Sequence, residues 1–140
     1  MRFDGTFTTK DFAPTAAQPL PNVQTALPVG VFTMEKQYRG AISGRSATLF
    51  TAAFDPSTGT GTYVAMESFE GRLGDRSGTF NYVHSAATTG ADRVREFFSV
   101  VEGSGTGALA GLRGSGGMQI DADGTHRIWF DVEGLGEANG

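Results

Sequence analysis

Cysteine is absent from the 140 residues and histidine occurs only twice. The first absence excludes a disulfide scaffold, a thiol nucleophile and Cys-ligated zinc or iron–sulfur clusters, and two imidazoles cannot supply a three-His zinc site. No metal and no cofactor is therefore expected. Basic charge is also scarce, with 11 Lys and Arg against 15 Asp and Glu, a net charge of −4 and a pI near 5.0. The basic residues are scattered, the wrong field for phosphate backbones or anionic lipid, so neither nucleic acid nor a membrane is an expected partner. Long apolar runs are missing too: no window approaches the ~18 consecutive apolar residues of a spanning helix. Met1-Arg2-Phe3-Asp4-Gly5 opens without the basic and apolar regions of a secretory signal. A cytoplasmic protein is the expectation.

Glycine, in contrast, is abundant, at 21 of 140 residues, and it comes with 11 Phe and many Val and Thr. Thr, Val and aromatic residues suit a pleated, half-buried surface, and Gly recurs where strands bulge or cross closely. Helical windows are nearly missing, and even the best of them, Ala91 to Phe98, reads as the lead-in to a strand. Alternating segments run over Arg2 to Thr9, Gly30 to Gly40, Ala41 to Phe54, Gly61 to Gly71, Ser77 to Ser85, Val94 to Val101, Thr106 to Gly114 and Thr125 to Gly134. Turn chemistry separates them at Asp55-Pro56-Ser57-Thr58-Gly59, Gly74-Asp75-Arg76 and Asp121-Ala122-Asp123-Gly124. The stretch from Asp11 to Pro28 holds four of the five prolines and reads as a loop wrapping the body, placed to lie over one mouth. The composition predicts a single all-β domain over 1–140, long enough to bury about two-thirds of its extended surface.

Three short Gly-apolar-Gly similarities, Gly40-Ala41-Ile42-Ser43-Gly44, Gly71-Arg72-Leu73-Gly74 and Gly107-Ala108-Leu109-Ala110-Gly111, fall where one strand gives way to the next. Repeated glycine kinks let a small sheet curl until it closes, and closure removes its exposed edges. An antiparallel closed barrel of about eight strands is predicted, with a solenoid as the alternative reading of the same spacing.

The run Gly103-Ser104-Gly105-Thr106-Gly107-Ala108-Leu109-Ala110-Gly111-Leu112-Arg113-Gly114 resembles an uncharacterised bacterial family of small allene-oxide-cyclase-like barrels, a domain of unknown function. Tyr63 to Gly71 and Gly78 to His84 look like that family's central hairpin, and the resemblance covers Val29 to Gly134. It implies the fold and leaves the activity open; the wider group of such barrels holds apolar substrates inside. Where the family carries an acidic stretch, this chain has Ala41-Ile42-Ser43, and where it carries Glu after the glycine run, this chain has Ala108. A less charged lumen suits an apolar ligand.

Glu67 shares a strand face with Tyr63, Ala65 and Phe69, an aromatic setting in which desolvation should raise a carboxyl's pKa. The alternative is a structural carboxylate paired with an Arg or capping buried backbone. His84 ends the face Phe80, Tyr82, His84, and a hairpin around Gly74-Asp75 brings it near Glu67 as an acid/base pair; the alternative is a strand-end histidine bonded to backbone. His126 stands beside a turn and is expected outside. Tyr63 and Tyr82 could donate to a developing oxyanion, and Phe69 and Phe98 are expected to line the ligand. Trp129 alternates away from Ile128 and Phe130 and is expected on the outer surface at a subunit contact. The glycine run lacks the Lys-Ser/Thr pair and helix of a phosphate loop, and the strand-to-helix turn of a serine nucleophile.

Two functions from different classes follow. One is a barrel that binds an apolar or aromatic small molecule, with cofactor-free isomerase or cyclase chemistry by Glu67 and His84. The other is a non-catalytic, homo-oligomeric module with a filled lumen that works through its outer surface.

Overall fold

The computed structural model describes residues 1–136. Eight strands follow one another: β1 Arg2–Pro14, β2 Val29–Gly40, β3 Ile42–Asp55, β4 Thr60–Leu73, β5 Arg76–Thr89, β6 Val94–Val100, β7 Arg113–Ile120 and β8 His126–Glu133. Each pairs antiparallel with its sequence neighbour, and β1 pairs with β8, so the sheet closes into a ring whose thinnest seam is β6 against β7, joined at Ser99 and Ser115. The helical content is one 3-10 turn, Gly107–Leu109, among the described residues.

Alternation decides which side chains enter the ring. On β4 the odd positions Ala65, Glu67, Phe69 and Leu73 are buried, and on β5 the even positions Phe80, Tyr82, His84 and Ala86 are. The sheet bends where glycines align across it: Gly44 pairs with Gly71, and Gly71 with Gly78. A Cβ on Gly71, at φ +153, would sit 2.1 Å from the Ser43 carbonyl oxygen, so only glycine permits this crossing.

The two ends of the ring differ. At one, Ile42, Leu73, Leu109 and Leu112 are 0–1% exposed and pack with Phe80 and Phe130 into a plug. The glycine run explains it: with positive φ at Gly103, Gly107 and Gly111 the chain from 101 to 112 cannot continue as a strand, and it folds back so that Leu109 and Leu112 close the opening. The strand predicted over Thr106 to Gly114 is corrected accordingly; the seventh strand is Arg113–Ile120. The opposite end stays open. There β1 runs on to Pro14 through a register irregularity between Lys10 and Ala13, with Asp11 at φ 59, and this kink lays Phe12 over Phe32 at 5.0 Å between ring centroids. The expected loop from Asp11 to Pro28 is thus shorter, beginning after β1. Among the described residues no helix is long and apolar enough to cross a membrane.

Candidate functional site

Midway through the ring the apolar filling is interrupted by a connected set of polar side chains. β2 contributes Lys36 and Tyr38, β3 contributes Ser46 and Thr48, β4 contributes Glu67, and β5 contributes Tyr82 and His84. All seven are buried. The pairings Thr48 with Glu67 and Glu67 with Tyr82 place them in neighbouring rows of the sheet, so the β4–β5 hairpin does bring Glu67 and His84 together.

Glu67 accepts four hydrogen bonds. Its Oε1 takes one from Ser46 Oγ at 2.8 Å and one from Thr48 Oγ1 at 2.5 Å; its Oε2 takes one from Lys36 Nζ and one from His84 Nε2, both at 2.7 Å. Burial by itself pushes a carboxyl up, but the His84 bond, the charge and bond of Lys36 and the Thr48 bond together outweigh it and hold Glu67 down at about 2. The expected raised pKa is therefore corrected. A desolvated carboxyl rises only when donors are missing, and here four supply what water would.

An ionised Glu67 fixes the remaining protons. His84 Nε2 must carry hydrogen to donate to the carboxylate, which leaves Nδ1 as an acceptor facing Tyr63 Oη at 3.0 Å. Tyr63 in turn accepts from Arg93 Nη2 at 2.5 Å, and Arg93 also pairs with Glu96. Burial, helped by the Lys36 charge, lowers the His84 pKa against the pull of Glu67, and the ring is neutral around pH 7. A second branch, Tyr82 to Tyr38 at 2.5 Å and Tyr38 to Ser46 at 2.7 Å, ties the phenols to the same carboxylate cluster. Burial raises the pKa of both phenols.

This network forms the floor of the open end. A cavity of about 210 Å³ is lined by Lys36, Tyr63, His84, Arg93 and His126 together with Phe7, Met34, Phe50 and Met118. Beside it a cavity of about 540 Å³ is lined by Phe12, Phe32, Phe50, Phe54, Tyr63 and the small residues Ala52 and Ala86. The two share Phe50 and Tyr63, whose rings stack at 4.8 Å and 19°.

Tyr63 and His84 line the smaller cavity, and Glu67 lies behind His84. Phe69 and Tyr82 do not line these cavities: Phe69 packs against Tyr38 and Phe80 in the core, and Tyr82 is wholly enclosed. Phe98 is half-buried and stacked on Tyr82 at 5.0 Å. His126, expected outside, turns inward, half-buried and stacked on Phe7 at 5.0 Å. Trp129 points outward, half-buried under the Arg2 guanidinium and over Gly117.

Lys36, Tyr38, Ser46, Thr48 and Arg93 were not singled out from the sequence, and of these Lys36 was the most legible. The same signal that marked Glu67 marks it, a charge on the apolar face Phe32, Met34, Tyr38 of its strand. Arg93 carries no such signal, because it lies before β6 and reaches Tyr63 only through the fold. Among the described residues no group of three His, Asp or Glu could hold a metal ion.

No curated protein matches the chain. Among solved structures, a protein of unknown function from the DUF3224 family of Shewanella oneidensis MR-1 is similar, with a TM-score of 0.80, 27% identity, and coverage of 99% of this chain and 98% of that one. The model of a family described as protein of unknown function (DUF3224) matches residues 3–132, reaching well ahead of Val29, where the sequence resemblance begins. Spanning nearly the whole ring, that match means that the chain belongs to the DUF3224 family.

Proposed function

We propose that this protein is a small-molecule-binding barrel of the allene-oxide-cyclase-like kind, taking an apolar or aromatic metabolite into its open end and acting on it by proton transfer without a cofactor. The observation that carries the reading is the aromatic cavity of about 540 Å³ whose wall, Phe50 and Tyr63, it shares with the polar floor. That volume and an apolar lining with a few convergent polar groups are what ligand sites have. His84 and Tyr63 are the groups a bound molecule would touch. The neutral His84 Nδ1 accepts a proton, Tyr63 donates one, and Glu67 acts as a positioning residue that holds the ring in one tautomer. A Glu67 held down at about 2 is a poor proton donor at neutral pH, so the acid/base role passes to the Tyr63–His84 pair.

Ligand-observed NMR with a panel of aromatic fragments tests the reading. Binding is expected, and Ala52→Phe, which fills the cavity, should abolish it; an unresponsive wild type, or binding indifferent to Ala52→Phe, would sink it.

A second reading, a homo-oligomeric module acting through its outer face, draws on Leu49, Val64, Met66 and Phe97, each 44–56% exposed on β3, β4 and β6. Sedimentation of Met66→Glu tests it: a wild-type oligomer that persists in this variant argues against that face.

A further inference from the structure

We infer that Lys36 is a carbonyl-capturing lysine, whose amine forms an imine with an aldehyde or ketone held in the open end of the ring. The inference rests on the ligand-binding reading above and names the functional group of the ligand.

The geometry around Nζ is lopsided. An ammonium has three donors to place. Lys36 places one on Glu67 Oε2 at 2.7 Å; its other near neighbour, His84 Nε2 at 3.2 Å, already carries a hydrogen pointed at the same oxygen. The Phe7 ring lies 4.8 Å from Nζ to centroid, and Lys36 and Phe7 both line the 210 Å³ cavity. Glu67, in contrast, keeps three donors without Lys36, namely Ser46, Thr48 and His84. The pair is built so that the carboxylate is secure while the ammonium is poorly solvated. Burial accordingly lowers the lysine's affinity for its proton more than Glu67 restores it. Desolvation of this kind turns a lysine into a nucleophile.

The reaction balances without another reagent. The ammonium passes one proton to Glu67 Oε2, to which it is already hydrogen-bonded and which later returns it, and the amine lone pair attacks the carbonyl carbon while the C=O π electrons move to oxygen. The two remaining N–H hydrogens leave with that oxygen as water, and the C=N nitrogen regains one proton. Ammonium plus carbonyl gives iminium plus water, with one positive charge on each side. The iminium N–H then occupies the place of the ammonium N–H against Glu67, which serves as its counter-ion. Met34, Phe50 and Met118 around the space suit an apolar body on the captured carbonyl.

The chain contains only two lysines, Lys10 and Lys36, so the test has an internal control. Lys10 is exposed, its side chain 51% accessible. Full-length protein would be treated at neutral pH with benzaldehyde and cyanoborohydride, and alkylation at each lysine followed by peptide mass spectrometry. Lys36 should be alkylated at least about tenfold faster than Lys10, as a desolvated amine should. Lys10→Arg, a surface change, should leave the residue 36 adduct intact, and Lys36→Arg should lose it. Alkylation at Lys10 and the amino terminus with Lys36 equal or slower would overturn the inference. Benzyl alcohol, similar in shape but without a carbonyl, is run beside it in ligand-observed NMR. If it binds while Lys36 stays unmodified, the cavity is a binding site and only the imine falls; if it does not bind, the binding reading falls by itself.

Discussion

At the scale of single residues, one carboxylate organises the interior, and its chemistry sets a pH dependence. Glu67 is held at about 2 against an ordinary value of 4.5, so the folded state prefers its anion. That contribution is fully present above pH 4.5 and is lost as pH falls from there toward 2. His84 acts in the same direction at a higher pH: its folded pKa is below the ordinary 6.5, so the unfolded chain takes up its proton first and stability begins to fall as pH drops below 6.5. Urea midpoints between pH 7.5 and 3 should decline in two limbs, and His84→Gln should remove the upper one. Glu67→Gln should cost about 3–5 kcal/mol at pH 7, the usual cost of leaving one member of a buried ion pair alone, measured by urea unfolding. A loss under 1 kcal/mol would mean that Lys36 is content without its partner. The positions of these groups were legible in the sequence because a charge on an alternating apolar face must point inward, as Glu67 does. Their energetics were not. Whether a buried carboxyl goes up or down depends on how many donors surround it, and Lys36, Ser46 and Thr48 come from strands 19 to 31 residues away.

At the scale of elements, glycines set where strands may cross, and the local surroundings separate two kinds. Gly71, at φ +153, would drive a Cβ to 2.1 Å from a carbonyl oxygen and 2.8 Å from the Gly44 Cα, whereas Gly90, at φ +87, has nothing within 4 Å. Gly71→Ala should therefore cost more than the roughly 1–3 kcal/mol of backbone strain alone, and Gly90→Ala only about 1–2 kcal/mol of left-handed penalty, compared by thermal or urea unfolding. Equal losses would show that the crossing has room to give. The strand periodicity carried well from sequence to structure, since β2, β3 and β8 start and stop within a residue or so of their predicted bounds. It failed at Thr106 to Gly114, where Leu109 and Leu112, three residues apart, would point to opposite faces of a strand and are instead both buried in a folded-back plug. The apolar and glycine content of that stretch suits a strand, its three-residue spacing of leucines does not, and the positive φ at Gly107 and Gly111 that ends the strand is a property of the packed chain.

At the scale of the whole molecule, closure of the ring divides labour between its ends. The plugged end carries the packing: Leu109 and Leu112 are enclosed among Phe80 and Phe130 and have no access to either cavity. The open end carries Phe54, 48% exposed and lining the larger cavity. Closure itself followed from glycine-rich strands that must hide their edges, but which end would be stoppered did not, because the loop from 101 to 112 chooses its end only after the ring exists. If the open end binds a ligand as proposed, this asymmetry makes stability and binding separable. Leu109→Ala should cost about 2–5 kcal/mol, the usual result of emptying a packed site that cannot collapse, and should leave the affinity for an aromatic fragment unchanged while the protein stays folded. Phe54→Ala removes a ring already half in water, should cost under about 1 kcal/mol, and should weaken the same fragment several-fold. Urea unfolding and fragment titration on both variants make the comparison. The division fails if Leu109→Ala alters fragment affinity in the folded protein, for that would mean the lumen is one continuous space in which the polar network transmits packing at one end to the cavity at the other.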